Sequence, residues 1–264
     1  SAASDVYKRQ DMDRRIIAGD DVFSNCFSSA FKSNLKSNLK SNLKAYLLDL
    51  AFPNRCPFCG EFIAYDILCC EKCFHEALWA DENICTGCGK SLLKGCICGN
   101  VSYDGCYAAA YYADSVRDCI HNLKFHGNTN GADIFGRVLR DRLETAGVLS
   151  GIDLIVPVPM TSKQKSERGY NQAELIARAI SAGEVPVEDV LCRKHVKTSQ
   201  HLLGAEERRS AVGKQYSATE CDLSGMTVLL ADDVITTGST LSCCASLLKQ
   251  MGAARVICAA AATV

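Results

Sequence analysis

The sequence predicts an α/β protein, a mostly parallel sheet flanked by helices, preceded by a small cysteine-rich module. Three observations predict it. Short apolar runs alternate with helical patterns between residues 107 and 261, the order expected when parallel strands are joined by crossover helices. Nine of the 17 cysteines crowd into residues 56–98. The composition is 48% apolar and 22% charged, with a formal charge of −1 from 29 Lys+Arg against 30 Asp+Glu. That suits a globular chain able to bury a sizeable core in one or two domains. It excludes a disordered tail, a collagen-like fibre and a nucleic-acid binder driven by bulk positive charge.

Residues 1–31 are expected to add nothing to the fold. The run from Asp5 to Gln10 resembles a translated adapter end of the kind used in DNA library preparation, and an ordinary polar N-terminus predicts the same lack of order. Residues 32–52 read as a low-complexity linker and a short helix. Lys-Ser-Asn-Leu occurs three times and is closed by Lys44, which places Leu35, Leu39, Leu43 and Leu47 on one slowly drifting helical stripe. Ser and Asn are poor interior helix formers, so a solvated linker feeding a helix over residues 45–52 outweighs a lysine face for nucleic acid. No stretch reaches the roughly 18 apolar residues of a membrane span, and no signal-peptide core is seen. The compartment is read as reducing and cytoplasmic.

Residues 53–99 carry the cysteine pairs. Cys56-Pro-Phe-Cys59 and Cys85-Thr-Gly-Cys88 are each followed by glycine, the form of a metal knuckle, and Cys70-Glu-Lys-Cys73 and Cys96-Ile-Cys98 answer them. Two four-thiolate sets suggest tandem zinc ribbons, since four soft thiolates in a tetrahedron suit zinc and so small a module lacks a core of its own. Spacing leaves open a crossed pairing of the knuckles, and His75 as a replacement ligand. Redox or iron–sulfur chemistry is the sharper alternative. Cys69 is a spare. The other eight cysteines (Cys26, Cys106, Cys119, Cys192, Cys221, Cys243, Cys244 and Cys258) mostly sit in apolar runs and read as core residues.

Residues 100–264 form the α/β part. Residues 107–112 read as a strand, 115–125 and 132–146 as helices, and 153–158 as a short buried strand. Residues 171–180 are again helical and 187–192 a strand. A polar, basic loop runs from Arg193 to about Tyr216. Residues 226–231 are a strand, 239–251 a helix and 255–261 a closing strand.

The richest stretch is Val228-Leu-Leu-Ala-Asp-Asp-Val-Ile-Thr-Thr-Gly-Ser-Thr240. An apolar strand delivers Asp232 and Asp233 to the carboxyl end of a parallel sheet, where ligands bind. The loop Thr236, Thr237, Gly238, Ser239 and Thr240 then opens a helix, offering hydroxyls and backbone N–H groups to an anion. A phosphate in the loop beside two acids describes a sugar phosphate with vicinal hydroxyls. The repelling carboxylates also call for a cation, and Mg²⁺ suits oxygen ligands and phosphates.

Residues 228–240 resemble the phosphoribosyl-pyrophosphate signature of the type I phosphoribosyltransferases. More narrowly, residues 56–261 resemble the ComF family: the knuckles, then Leu123-Lys-Phe, Asp153-Leu-Ile-Val-Pro-Val-Pro159, Arg168-Gly-Tyr-Asn-Gln172, Thr198-Ser-Gln200, Glu207-Arg-Arg209 and the acidic motif, in order. The resemblance implies a type I phosphoribosyltransferase fold behind a double zinc ribbon, in a bacterial cytoplasm. It implies phosphoribosyl pyrophosphate or a related ribose phosphate as ligand, with magnesium, and two structural zinc ions. Residues 236–240 would hold the 5′-phosphate, and Asp232 and Asp233 the ribose hydroxyls. Pro159 and Lys163 belong to the segment in place of the pyrophosphate loop, residues 157–163. The basic segment 193–209 would be the mobile loop, with Arg168, Arg208 and Arg209 as the cations facing departing pyrophosphate. The chain departs from the family's usual pattern at Gln164 (an arginine nearby), Ala211 (an asparagine nearby) and Gln200-His-Leu-Leu203, departures that bear on turnover more than on phosphate binding.

Three functions remain in play. One is a phosphoribosyltransferase with an unread acceptor. A second is a factor handling single-stranded DNA in natural competence beside a helicase-like partner, through Lys72, Lys90, Lys94, the lysine repeats and residues 193–209. The third is a docking protein using the ribbons.

Overall fold

A computed structural model of the chain describes residues 53–92, 95–96, 98–194 and 215–264. The expectations placed on residues 1–52, on Lys94 and on Thr198, Gln200, Arg208, Arg209 and Ala211 lie outside the described residues. In chain order the elements are α1 (Glu71–Glu76), β1 (Gly105–Tyr111), α2 (Asp114–Phe125), α3 (Asn130–Thr145), β2 (Leu154–Pro157), α4 (Ser162–Arg168), α5 (Gln172–Ser181), β3 (Leu191–Arg193), β4 (Tyr216–Ala218), β5 (Thr227–Ile235), α6 (Ser239–Gln250) and β6 (Arg255–Thr263).

Strands β1, β6, β5 and β2 form a four-stranded, wholly parallel sheet in that order. The central strands are apolar runs because both faces are covered. Alternation along each strand feeds two cores. Leu229, Ala231, Ile257, Ala259 and Ala261 pack with the apolar faces of α2, α3 and α5. Val228, Leu230, Cys258 and Ala260 face Leu241, Cys244, Ala245 and Leu248 of α6. Helices therefore cover both faces, as expected of a phosphoribosyltransferase-type α/β domain.

On the first face α3 and α5 cross closely at Gly136, where an added Cβ would lie 2.3 Å from the Cβ of Ala179. The carbonyls of Ile180 and Ser181 at the end of α5 are satisfied by Arg140, whose Nη1 donates to them at 3.1 and 2.9 Å.

Two local expectations are corrected. Residues 187–192 do not form one strand of the main sheet. Val187 makes an isolated parallel bridge to Ile155, and the apolar run is then interrupted by Glu188 and Asp189. Leu191–Arg193 turns away to pair antiparallel with Tyr216–Ala218, a separate two-stranded ribbon. Likewise, the loop expected after β2 gives way to helix α4 from Ser162. Thr161 and Gln164 start it as a reciprocal capping box, and Gly169 ends it at φ +81°.

The cysteine module is built onto this domain. Phe58 lies edge-on to Trp79 (6.4 Å) and to Phe135 of α3 (6.2 Å). Cys56, Cys69 and Cys73 share the core of α2, α3 and α5. Asn122 Nδ2 of α2 donates to the Pro57 carbonyl at 2.7 Å. Residues 78–80 run along the outer edge of β1, with Ala80 N–H donating to the Ala109 carbonyl (2.9 Å) and Tyr111 N–H to that of Leu78 (2.8 Å). The change of sequence texture near Gly99 is thus crossed by a continuous core. Among the described residues no helix is long and apolar enough to cross a membrane.

Candidate functional site

Two thiol clusters stand in the module: Cys56, Cys59, Cys70 and Cys73, and Cys85, Cys88, Cys96 and Cys98, the sulfurs of each lying within 4.8 Å of one another. The pairing is sequential rather than crossed. Contacts of 3.8 Å between Cys59 and Cys70, and of 3.6 Å from Cys96 to both Cys85 and Cys88, are far too long for disulfides. They are close to the roughly 3.8 Å edge of a thiolate tetrahedron around zinc, given Zn–S near 2.3 Å, while Cys98 sits closer, 3.4 Å from Cys85 and 3.0 Å from Cys96. The donor set therefore fits the metal. Burial works against the Cys85 thiolate, but hydrogen bonds from the Cys88 N–H, the Cys98 thiol and the Gly87 N–H outweigh it and hold its pKa to about 7. His75 stands outside, 3.9 Å from Glu71. Cys69 is fully buried, and that burial pushes its thiol up to about 12.

A second site opens at the carboxyl ends of β2 and β5, a cavity of about 240 Å³ walled by α4, α5 and the end of α2. Asp232 and Asp233 reach it from β5. Burial, reinforced by the neighbouring charge of Asp233, pushes Asp232 up to about 7 against the pull of the Asp233 N–H, Lys124 and Arg193. That N–H donates to Asp232 Oδ1 at 2.8 Å. Lys124 Nζ pairs with Asp233 Oδ2 at 2.8 Å.

Across the cavity stand donors. Arg168 Nη1 donates to Gln172 Oε1 at 3.1 Å, and its guanidinium lies 5.1 Å from the ring centre of Phe125. Gln172 is only 2% exposed, yet its Nε2 has no acceptor among the described residues, and neither has the buried Nε of Arg193. An unsatisfied buried donor costs about 1–3 kcal/mol. Gln172 and Arg193 both line this cavity, which places polar nitrogen-bearing side chains opposite its acids.

Beyond the acids, the chain bends into the loop that starts α6. Gly238 sits at φ +73° as its N-cap residue and offers no side-chain cap; Ser239 N–H donates to Thr237 Oγ1 at 3.4 Å, and a helix start of this kind favours an anion. Thr237 Oγ1 and Ser239 Oγ lie 2.9 Å apart. A small cleft lined by Thr236, Gly238, Ser239 and Thr240 shares Asp232, Val234 and Thr240 with the larger cavity. The acidic cavity and the loop cleft are thereby contiguous.

A family model for the double zinc ribbon domain matches residues 47–102, and one for the phosphoribosyl transferase domain matches residues 155–264. The DNA utilization protein YhgH of Escherichia coli (strain K12) is 29% identical over 219 residues, 78% of this chain and 96% of that protein. Competence protein F of Haemophilus influenzae is 28% identical over 211 residues, 69% of this chain and 91% of its own. Competence protein ComFC of Bacillus subtilis is 27% identical over 152 residues, covering 54% and 57% respectively. The chain is similar to these ComF-type competence proteins.

Of the residues expected at a ComF site, Asp232, Asp233, Arg168, Pro159 and Thr240 line the cavity, and Thr236, Gly238 and Ser239 line the adjoining cleft. Thr237 is held to it through Ser239. Lys163 is not among the cavity residues: it lies exposed on α4, 3.7 Å from Glu167. Gln164, where the ComF pattern usually has an arginine nearby, lines the cavity and is engaged in starting α4, its Oε1 accepting from the Thr161 N–H (3.1 Å) and hydroxyl (3.0 Å). Lys124, Gln172 and Arg193 were not singled out for this site by the sequence. Lys124 and Gln172 lie inside the family motifs, and Arg193 opens the basic loop, but nothing local to each marks it as facing the acids.

Proposed function

We propose that this chain binds phosphoribosyl pyrophosphate together with Mg²⁺ at the end of the sheet and acts in DNA uptake. The observation that carries the binding reading is the pairing of Asp232 and Asp233 with the loop that starts α6, in a cavity also lined by Arg168, Gln172 and Arg193. N–H groups of residues 236–240 would hold the 5′-phosphate, and the two carboxylates would accept the ribose hydroxyls. Arg168, Gln172 and Arg193 would receive the diphosphate oxygens, joined by Arg208 from the basic segment. Bound Mg²⁺ supplies neutralisation of diphosphate charge. The enzymatic version of this reading is ribosyl transfer to an acceptor nucleophile, in which the wall of donors stabilises the leaving diphosphate and the closing loop excludes water.

The role in DNA uptake is supported by relatives named as DNA utilization and competence proteins. Calorimetry with phosphoribosyl pyrophosphate and Mg²⁺ tests the binding reading. Wild type is expected to bind, with affinity reduced at least about tenfold in Asp232→Asn and Asp233→Asn; no heat, or variants that match wild type, would sink it. The same relatives favour a second reading, direct handling of single-stranded DNA. There the check is a salt titration, in which affinity must fall as salt rises.

A further inference from the structure

The second thiol cluster touches the phosphate loop through one side chain. Lys90 follows Cys88 and Gly89, and its Nζ donates to the backbone oxygens of Thr236 and Val264, each at 2.6 Å. Thr236 is the first residue of the loop that leads into α6. Val264 follows β6, its N–H donating to the Ile235 carbonyl at 3.0 Å. One ammonium thus bridges the carboxyl ends of the two central strands, on the rim where the ligand site opens.

The knuckle fixes where that ammonium sits. Cys85 N–H donates to the Lys90 carbonyl at 2.9 Å and Gly89 N–H to the Cys85 carbonyl at 2.7 Å, closing a tight turn. Gly89 adopts φ +73°, and a Cβ there would meet Cys106 Sγ at 2.6 Å and Ile235 Cδ1 at 2.8 Å, so the turn is pressed against β1 and the last residue of β5. Tyr103 OH donates to the Cys88 carbonyl at 3.0 Å, and Cys106 N–H to that of Thr86 at 2.7 Å. The turn carrying Lys90 therefore has its shape set by the thiol cluster and its position set by the sheet. By contrast, the loop it grips is held from within only by short-range bonds, including Ser239 N–H to Thr237 Oγ1 at 3.4 Å. Thr237 and Ser239 bond to each other, and α6 begins without a side-chain cap.

We propose that Lys90 is a positioning residue for the phosphate loop: the second ribbon, once metal-loaded, holds Thr236 through this lysine and so sets the loop's affinity for a sugar 5-phosphate. Lys90 orients backbone that would touch the phosphate, and its positive charge beneath the loop adds to the field of the helix N-terminus. This rests on the phosphate-loop reading above, and it makes the ribbon a working part of the site instead of a remote fold clip.

The test uses the full chain with both metals bound, as wild type, Lys90→Met, which keeps the apolar stem, and Lys90→Arg, which keeps a donor and the charge. Hydrogen–deuterium exchange over residues 235–242 reads the clamp without any ligand, and calorimetry with ribose 5-phosphate reads its consequence. Zinc content and melting temperature check that each variant is folded. In Lys90→Met the loop amides are expected to exchange at least about threefold faster and ribose 5-phosphate affinity to fall about tenfold, with zinc content unchanged and pyrophosphate affinity little altered. Lys90→Arg should recover part of both, and stripping the zinc from wild type should reproduce the faster loop exchange. Loop exchange and affinity that are the same in Lys90→Met as in wild type overturn the proposal. A wild type that ignores ribose 5-phosphate defeats the phosphate reading and the claim on affinity, while the exchange data still decide whether Lys90 clamps the loop.

Discussion

Lys124 Nζ at the end of α2 lies 2.8 Å from Asp233 Oδ2 at the end of β5. That pair ties a helix on one face of the sheet to the acidic edge, and it divides the two acids. Asp233 has a cation of its own, whereas burial and the neighbouring charge leave Asp232 reluctant to ionise.

A pH dependence follows. The Asp232 carboxyl is pushed up from 3.8 to about 7, so the folded state holds its proton more tightly than the unfolded state does. Stability must then fall as pH rises from about 4 towards 7. Asp232→Asn removes this loss. Its melting temperature should exceed that of the ligand-free wild type by a few degrees at pH 8, and the gap should close towards pH 4. Lys124→Met should shift the window to higher pH. Melting curves across that range decide the matter, and parallel curves for wild type and Asp232→Asn would contradict it.

Gln172 offers a cleaner probe of ligand than the acids do. Among the described residues its Nε2 is buried without an acceptor, while its Oε1 accepts from Arg168 Nη1, so Gln172→Leu should cost the ligand-free protein no more than about 1 kcal/mol. The same change should weaken phosphoribosyl pyrophosphate binding by about tenfold, because the ligand loses a donor that only it was using. Thermal shift with and without ligand separates the two effects.

The two thiol clusters should not be equivalent. Cys56 is fully buried in the core shared with α2 and α3, and Cys98 is exposed. Either Cys56→Ser or Cys98→Ser should halve the zinc measured by mass spectrometry. Only Cys56→Ser should also lower the melting temperature by more than about 5 °C, since its failure is carried straight into the domain core.

Gly136 sets the approach of α3 to α5. Gly136→Val should cost about 1–3 kcal/mol or more in urea denaturation, since even its first carbon would overlap Ala179. Ala179→Gly in the same chain should return part of that loss, which an unrelated helix-propensity effect would not do.

The legible parts of this protein are those in which chemistry is local in sequence. Two close pairs of cysteines define each thiol cluster, and residues 228–240 spell out strand, acids and loop in one continuous run. The apolar stretches of β2, β5 and β6 announce buried parallel strands. Helix α4 was hidden because Ser-Lys-Gln-Lys-Ser-Glu-Arg has no apolar stripe, although Thr161 and Gln164 carry a readable capping box. Strands β3 and β4 are three residues each and pair only with one another across the basic segment, too short for alternation to show. Lys124, Gln172 and Arg193 come from three elements that meet only once the sheet and helices have packed, so no local spacing announces their convergence. Lys90 reads in sequence as a lysine beside a knuckle that could track nucleic-acid phosphates, and nothing local points it at the loop after β5.

One consequence lies at the rim of the sheet. β1 is an outer strand, and residues 78–80 of the cysteine module bond along its open side. Stripping the metal would loosen that strip and bare unpaired main-chain groups of β1, a template on which another copy's strand can add. For this chain, loss of zinc should therefore register as self-association before it registers as unfolding.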